Sequence, residues 1–61
     1  MKKYIIEISL APQVHEGCMA HYWQIIMITN DGKYTVAHGW SYNTSKASMD
    51  AENEARKRKL L

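Results

Sequence analysis

The stretch "HEGCMAH" spaces His15, Cys18 and His21 as H-x2-C-x2-H. Thiolate and imidazole are zinc ligands, and a loop with this spacing can wrap a metal ion. A structural zinc site needs a fourth ligand. His38 is the obvious candidate, but the hairpin register expected below places it opposite Ile25, about 13 Å along the strand from His21. Glu16 adjoins His15, an awkward geometry for two ligands of one ion. The pattern therefore reads as a loop carrying a small, half-buried cysteine, with no metal and no cofactor. A Cys18–His nucleophilic pair would need an oriented third group. None is identifiable, so the expectation is a protein that is not an enzyme.

Two other groups of residues could do chemistry. Arg56, Lys57, Arg58 and Lys59 form a basic cluster, and with Lys46 they could meet phosphates. Trp40 and Tyr42 could add base stacking. Against this, cations favour a helix C-terminus for the helix's own stability, and Asp50, Glu52 and Glu54 share the segment. Nucleic-acid binding is thus the alternative, and a solvated helix end is the plainer reading. Trp23 and Trp40 read as a cross-strand core pair. They could instead line a small-ligand pocket between protomers.

The elements that position these residues follow from periodicity. Lys2 to Leu10 alternates Tyr4, Ile6, Ile8 and Leu10 against Lys3, Ile5, Glu7 and Ser9, the period-2 signature of a strand. Ala11 to Ala20 holds Pro12 and Gly17 and reads as a connecting loop. His21 to Thr29 forms a second strand, Asp31-Gly32 a type I′ turn, and Tyr34 to Trp40 or Ser41 a third strand. That turn pairs Met27 with Val36, Ile25 with His38, and Trp23 with Trp40. The tail reads as a helix capped by Thr44 or Ser45. Ala47, Ala51 and Ala55 form its narrow apolar stripe, with Met49 and Leu60 on the other side. Glu52–Arg56 and Glu54–Arg58 are i,i+4 pairs in the favoured orientation. The expected fold is a single α+β domain over residues 1–61, a three-stranded antiparallel sheet with one C-terminal helix packed on one face.

With 61 residues and a net charge of +2, such a domain buries a marginal core. Cys18 is the sole cysteine, so no intrachain disulfide supports it. No apolar run reaches the length of a membrane span, and the expected location is cytoplasmic. Strand two is apolar almost throughout from Tyr22 to Ile28, and one alanine-lined helix can cover only one sheet face. The economical cover for the other face is a second molecule. Tyr22, Trp23, Ile26, Ile28 and Trp40 are the expected contact residues, with a homodimer and an unidentified protein as the expected partners. The leading expectation is a small interaction module that occupies its partner through the sheet face and the Ala11–Ala20 loop. Very short intracellular chains are often phage or mobile-element regulators or inhibitors of host proteins, which gives that expectation a biological setting.

Two families share parts of this pattern. "DGK", Gly39, "SKAS" and the alanine-bearing helix resemble the C-terminal part of a double-stranded RNA-binding domain. Lys46 matches one of its phosphate-gripping lysines, whereas Ala47 and Asp50 stand where others are expected. "YWQIIMITNDGKYTVAHGW" and "TSKAS" resemble the small YegP-like β-β-β-α domain of unassigned function. Either resemblance implies strands leading into a C-terminal helix, and neither carries an active site with it.

Overall fold

A computed structural model describes residues 2–60. The chain is α+β: an antiparallel sheet followed by one C-terminal helix. The sheet has four strands rather than three. They are β1 (Lys3–Ile8), β2 (Gln13–His15), β3 (Cys18–Thr29) and β4 (Gly32–Ser41), and α1 (Thr44–Lys57) follows. β3 is the hub. β1 pairs with Trp23–Ile28, β2 with Cys18–Ala20, and β4 with His21–Thr29.

The extra strand comes from the segment expected to be a loop. Glu16 (φ 53°) and Gly17 (φ 81°) both adopt left-handed backbone, as a type I′ turn demands at its two central residues. They join His15 to its partner Cys18, closing β2 and the start of β3 into a tight hairpin. Pro12 falls just before β2, outside the ladder. Ser9 donates its amide to Tyr22 O, and Gln13 pairs with Ala20. Leu10, Ala11 and Pro12 therefore stand against the single residue His21. The His21 ring bridges this irregularity by donating from Nδ1 to the Ser9 carbonyl at 2.8 Å.

The second hairpin differs from expectation by position. Thr29 pairs with Gly32, so Asn30 and Asp31 form the turn. Gly32, at φ 145°, carries the unusual backbone instead of either turn residue. Ile26 pairs with Thr35 but Ile25 with Ala37, leaving Val36 as a β-bulge. Trp23 consequently faces Gly39, and Tyr22 faces Trp40. The Trp23–Trp40 pair does not form. The two rings occupy opposite faces of the sheet.

The helix face collects Trp23, Ile25 and Ala37, with Tyr4, Ile6, Ile8 and Val36 packed around them. Ala47, Ala51 and Ala55 are fully buried against this layer, as their four-residue spacing requires. Asn43, not Thr44 or Ser45, is the N-cap, accepting from the Lys46 amide at 2.7 Å. The helix ends in a Schellman arrangement with Lys59 left-handed (φ 59°). Leu60 N donates to Ala55 O and Lys59 N to Arg56 O. This turn swings Leu60 onto the core, whereas Met49 stays exposed.

A buried polar contact ties the helix to β4. Buried Ser41 donates from Oγ to Asp50 Oδ2 at 2.6 Å. That hydrogen bond, helped by Lys46 at 3.2 Å, holds the Asp50 carboxyl below its ordinary value against a smaller opposing effect of burial. A carboxylate lowered by folding adds stability that is complete above its unfolded value and lost as pH falls through its folded value. Ser41→Ala and Asp50→Asn should each lower stability at neutral pH and flatten this acid limb. Urea melts at pH 7 and pH 3 check it: a mutant with the full acid sensitivity of the parent contradicts the assignment.

Candidate functional site

The face opposite the helix is built in rows, read across β1, β3 and β4 from the register. Lys3, Ile28 and Lys33 form the first; Ile5, Ile26 and Thr35 the second; Glu7, Gln24 and His38 the third; Tyr22 and Trp40 the fourth. The third row is polar, and its Glu7 and Gln24 are linked to each other and to Thr35 of the second row. Gln24 Nε2 donates to Glu7 Oε1 at 3.0 Å, and Thr35 Oγ1 donates to Gln24 Oε1 at 3.0 Å. Aliphatic side chains lie on one side of this polar row and aromatic rings on the other.

At the aromatic end the His15 ring stacks on Trp40, with centroids 4.3 Å apart and planes 7° apart. Tyr22 meets Trp40 edge-on at 5.2 Å and lies 5.9 Å from His38. Ala20, buried and two residue pairs along from Cys18, lines the groove beside the His15–Trp40 stack. A shallow groove of about 260 Å³ runs beside the stack, lined by His15, Cys18, Met19, Trp40, Tyr42 and Lys46 among others.

The hairpin of β2 and the start of β3 extends past the end of β4 as a two-stranded arm. Val14 pairs with Met19 on it, and both are exposed, as are Leu10 at its base and Tyr42 in the adjoining groove. These are four of the six large apolar side chains exposed among the described residues, which concentrates their apolar surface at one end of the molecule. The molecule exposes 4473 Å², against about 4,100 Å² for a compact monomer of its mass. Its radius of gyration is 12.1 Å, against roughly 10.5 Å for an average domain of this length. The arm accounts for the direction of both differences.

The expected site residues divide accordingly. Tyr22, Ile26, Ile28 and Trp40 share the open face, although Ile26 is buried within it. Trp23 is buried on the helix side and is not available to a partner; it also cannot line one pocket with Trp40. His15 and Cys18 face each other across the hairpin. His21, three residues from Cys18 in one strand, points to the opposite face and is engaged with Ser9. Among the described residues no group of three metal-type side chains converges. In the basic set, Lys46 pairs with Asp50, Arg56 with Glu52, and Arg58 with Glu54. Arg58 also donates to the Val36 carbonyl at 3.1 Å. Lys46 sits 5.9 Å from the centre of the Tyr42 ring.

The sequence does not single out Val14 and Met19, because Ala11 to Ala20 reads as a loop, and it places Leu10 at the end of strand one. The signal was the Glu-Gly dipeptide between Val14-His15 and Cys18-Met19. No family model matches the chain, and no curated protein or solved structure matches it either. No helix among the described residues is long and apolar enough to cross a membrane.

Proposed function

We propose that this chain is a non-enzymatic protein-interaction module that docks on a different protein through the hairpin arm and the adjoining aromatic end of the open sheet face. The observation that carries this reading is the exposure of Leu10, Val14, Met19 and Tyr42 at the end of the molecule that also holds the His15–Trp40–Tyr22 cluster, with Val14 and Met19 on the face of the arm opposite His15. Apolar and aromatic side chains concentrated at one end are the composition of an interface centre. An arm that projects beyond the sheet suits insertion into an apolar cleft, and an inhibitor or regulator of its partner works in that way. The polar row through Glu7 and Gln24 disfavours two copies stacking face to face, since stacking would bury charges without partners.

The nucleic-acid alternative draws less support. Three of its five basic residues, Lys46, Arg56 and Arg58, are spent on intrahelical ion pairs, and Arg58 also holds the edge of β4.

Site-specific photo-crosslinking in the source cell tests the reading. A photoreactive residue at Met19 or Tyr42 is expected to trap one protein, the trap should be lost with Trp40→Ala, and the same probe at Met49 should give nothing. Equal capture from Met49, or crosslinks to nucleic acid alone, overturns it.

A further inference from the structure

Apart from the β2–β3 arm, the described sheet has two free edges, along β1 and along β4, and they are treated differently. The outer edge of β4 is blunted. Val36 bulges from it, and the Arg58 guanidinium occupies the Val36 carbonyl. Bulges and edge charges are the usual devices against unwanted strand pairing. β1 pairs only with β3 among the described residues. Because Ser9 donates to Tyr22 O, the alternation of an antiparallel ladder turns the amides and carbonyls of Lys3, Ile5 and Glu7 toward β3. Those of Tyr4, Ile6 and Ile8 then point outward. No backbone or side-chain partner meets them among the described residues. The side chains of Tyr4, Ile6 and Ile8 are also only half-buried, although they belong to the core whose centre, Ile25, is fully enclosed.

We infer that β1 is a self-pairing edge: a second copy of this chain adds its own β1, antiparallel, about a two-fold axis through Ile5. This register is selected by charge. It sets Lys3 opposite the partner's Glu7, and Glu7 opposite the partner's Lys3, on the open face where both are exposed. These fall at non-hydrogen-bonded positions, where facing side chains approach closest. Ile5 meets the partner's Ile5 between them. On the helix side Tyr4 faces the partner's Ile6, so two half-buried core residues shelter each other while their outward backbone groups pair. A register centred one residue later would place Ile5 against Glu7 and lose both charge pairs. The charges that select a second copy also discourage an arbitrary strand. The sheet becomes continuous across the dimer, with both helices on one side and both aromatic ends free for docking.

The chain is short enough for chemical synthesis, so the backbone itself can be edited. Sedimentation equilibrium of the full chain from micromolar to millimolar concentration is expected to show a monomer–dimer equilibrium. N-methylation of Tyr4 removes one outward donor without touching the β3 ladder and should abolish the dimer while circular dichroism stays unchanged. Glu7→Lys should weaken the dimer by about tenfold or more, and the Lys3→Glu/Glu7→Lys exchange should restore it. A parent that stays monomeric, or a dimer that survives N-methylation of Tyr4, overturns the inference. So does a dimer lost on Trp40→Ala but not on N-methylation. A monomeric parent, or a dimer that survives N-methylation, leaves docking of a different protein at the arm untouched, whereas a dimer lost on Trp40→Ala would place the second copy at the aromatic end.

Discussion

Trp23→Ala is expected to leave the chain unfolded at 25 °C, whereas Trp40→Ala stays folded. Trp23 is buried among the helix alanines and Ile25, and removing a core tryptophan costs about 3–5 kcal/mol. A domain this small seldom holds more than about 3–5 kcal/mol in total, so the loss consumes its stability. Trp40 is half-buried on the other face, with His15 and Tyr22 as its ring partners. Losing those contacts costs about 0.5–1.5 kcal/mol per pair, which lowers the melting temperature by roughly 10 °C. Thermal melts followed by circular dichroism separate the two. Equal damage from both substitutions would mean that the tryptophans share one core after all.

Gly39→Ala should be nearly as harmful as a core truncation. Gly39 faces Trp23 across the strands, and a methyl group there would lie 2.6 Å from Cζ2 and 2.8 Å from Cε2 of the indole. The indole is enclosed and cannot swing aside. Overpacking of this kind costs about 1–3 kcal/mol, which is about 4–24 °C in melting temperature for so short a chain. Elsewhere in a strand, alanine is more favourable than glycine by about 0.5–1 kcal/mol, so the sign of the effect is informative. Replacing Trp23 by leucine in the Gly39→Ala background should recover part of the loss. A Gly39→Ala protein as stable as the parent would show that the ring does not lie over this backbone.

These two positions show where the sequence was legible and where it was not. The α+β order, the alanine stripe and the ion pairs Glu52–Arg56 and Glu54–Arg58 are local, set by spacing within one element, and they read correctly. The Val36 bulge is not local. Nothing in "KYTVAHGW" marks it, and it shifts each pairing beyond it by one residue, so that Trp40 lands opposite Tyr22 on the open face. The turn at Asn30-Asp31 was misplaced for a related reason: Asp31-Gly32 is a strong type I′ signal, but the positive φ of Gly32 is spent on opening β4. The arm was missed because Pro12 and Gly17 look like loop residues. Pro12 lies in the irregularity against His21, and Gly17 in a two-residue turn, so neither interrupts a ladder. The ion pairs of the basic cluster follow from helical spacing, but the hold of Arg58 on the Val36 carbonyl depends on tertiary placement.

The separation of the two tryptophans by the bulge underlies both the core and the docking end. A NOESY spectrum of the protein tests it most directly. Cross-peaks should join the Trp40 ring to His15 and Tyr22, and the Trp23 ring to the alanine methyls of α1. Cross-peaks between the Trp23 and Trp40 rings would contradict the register, the open aromatic face and the docking surface built on it.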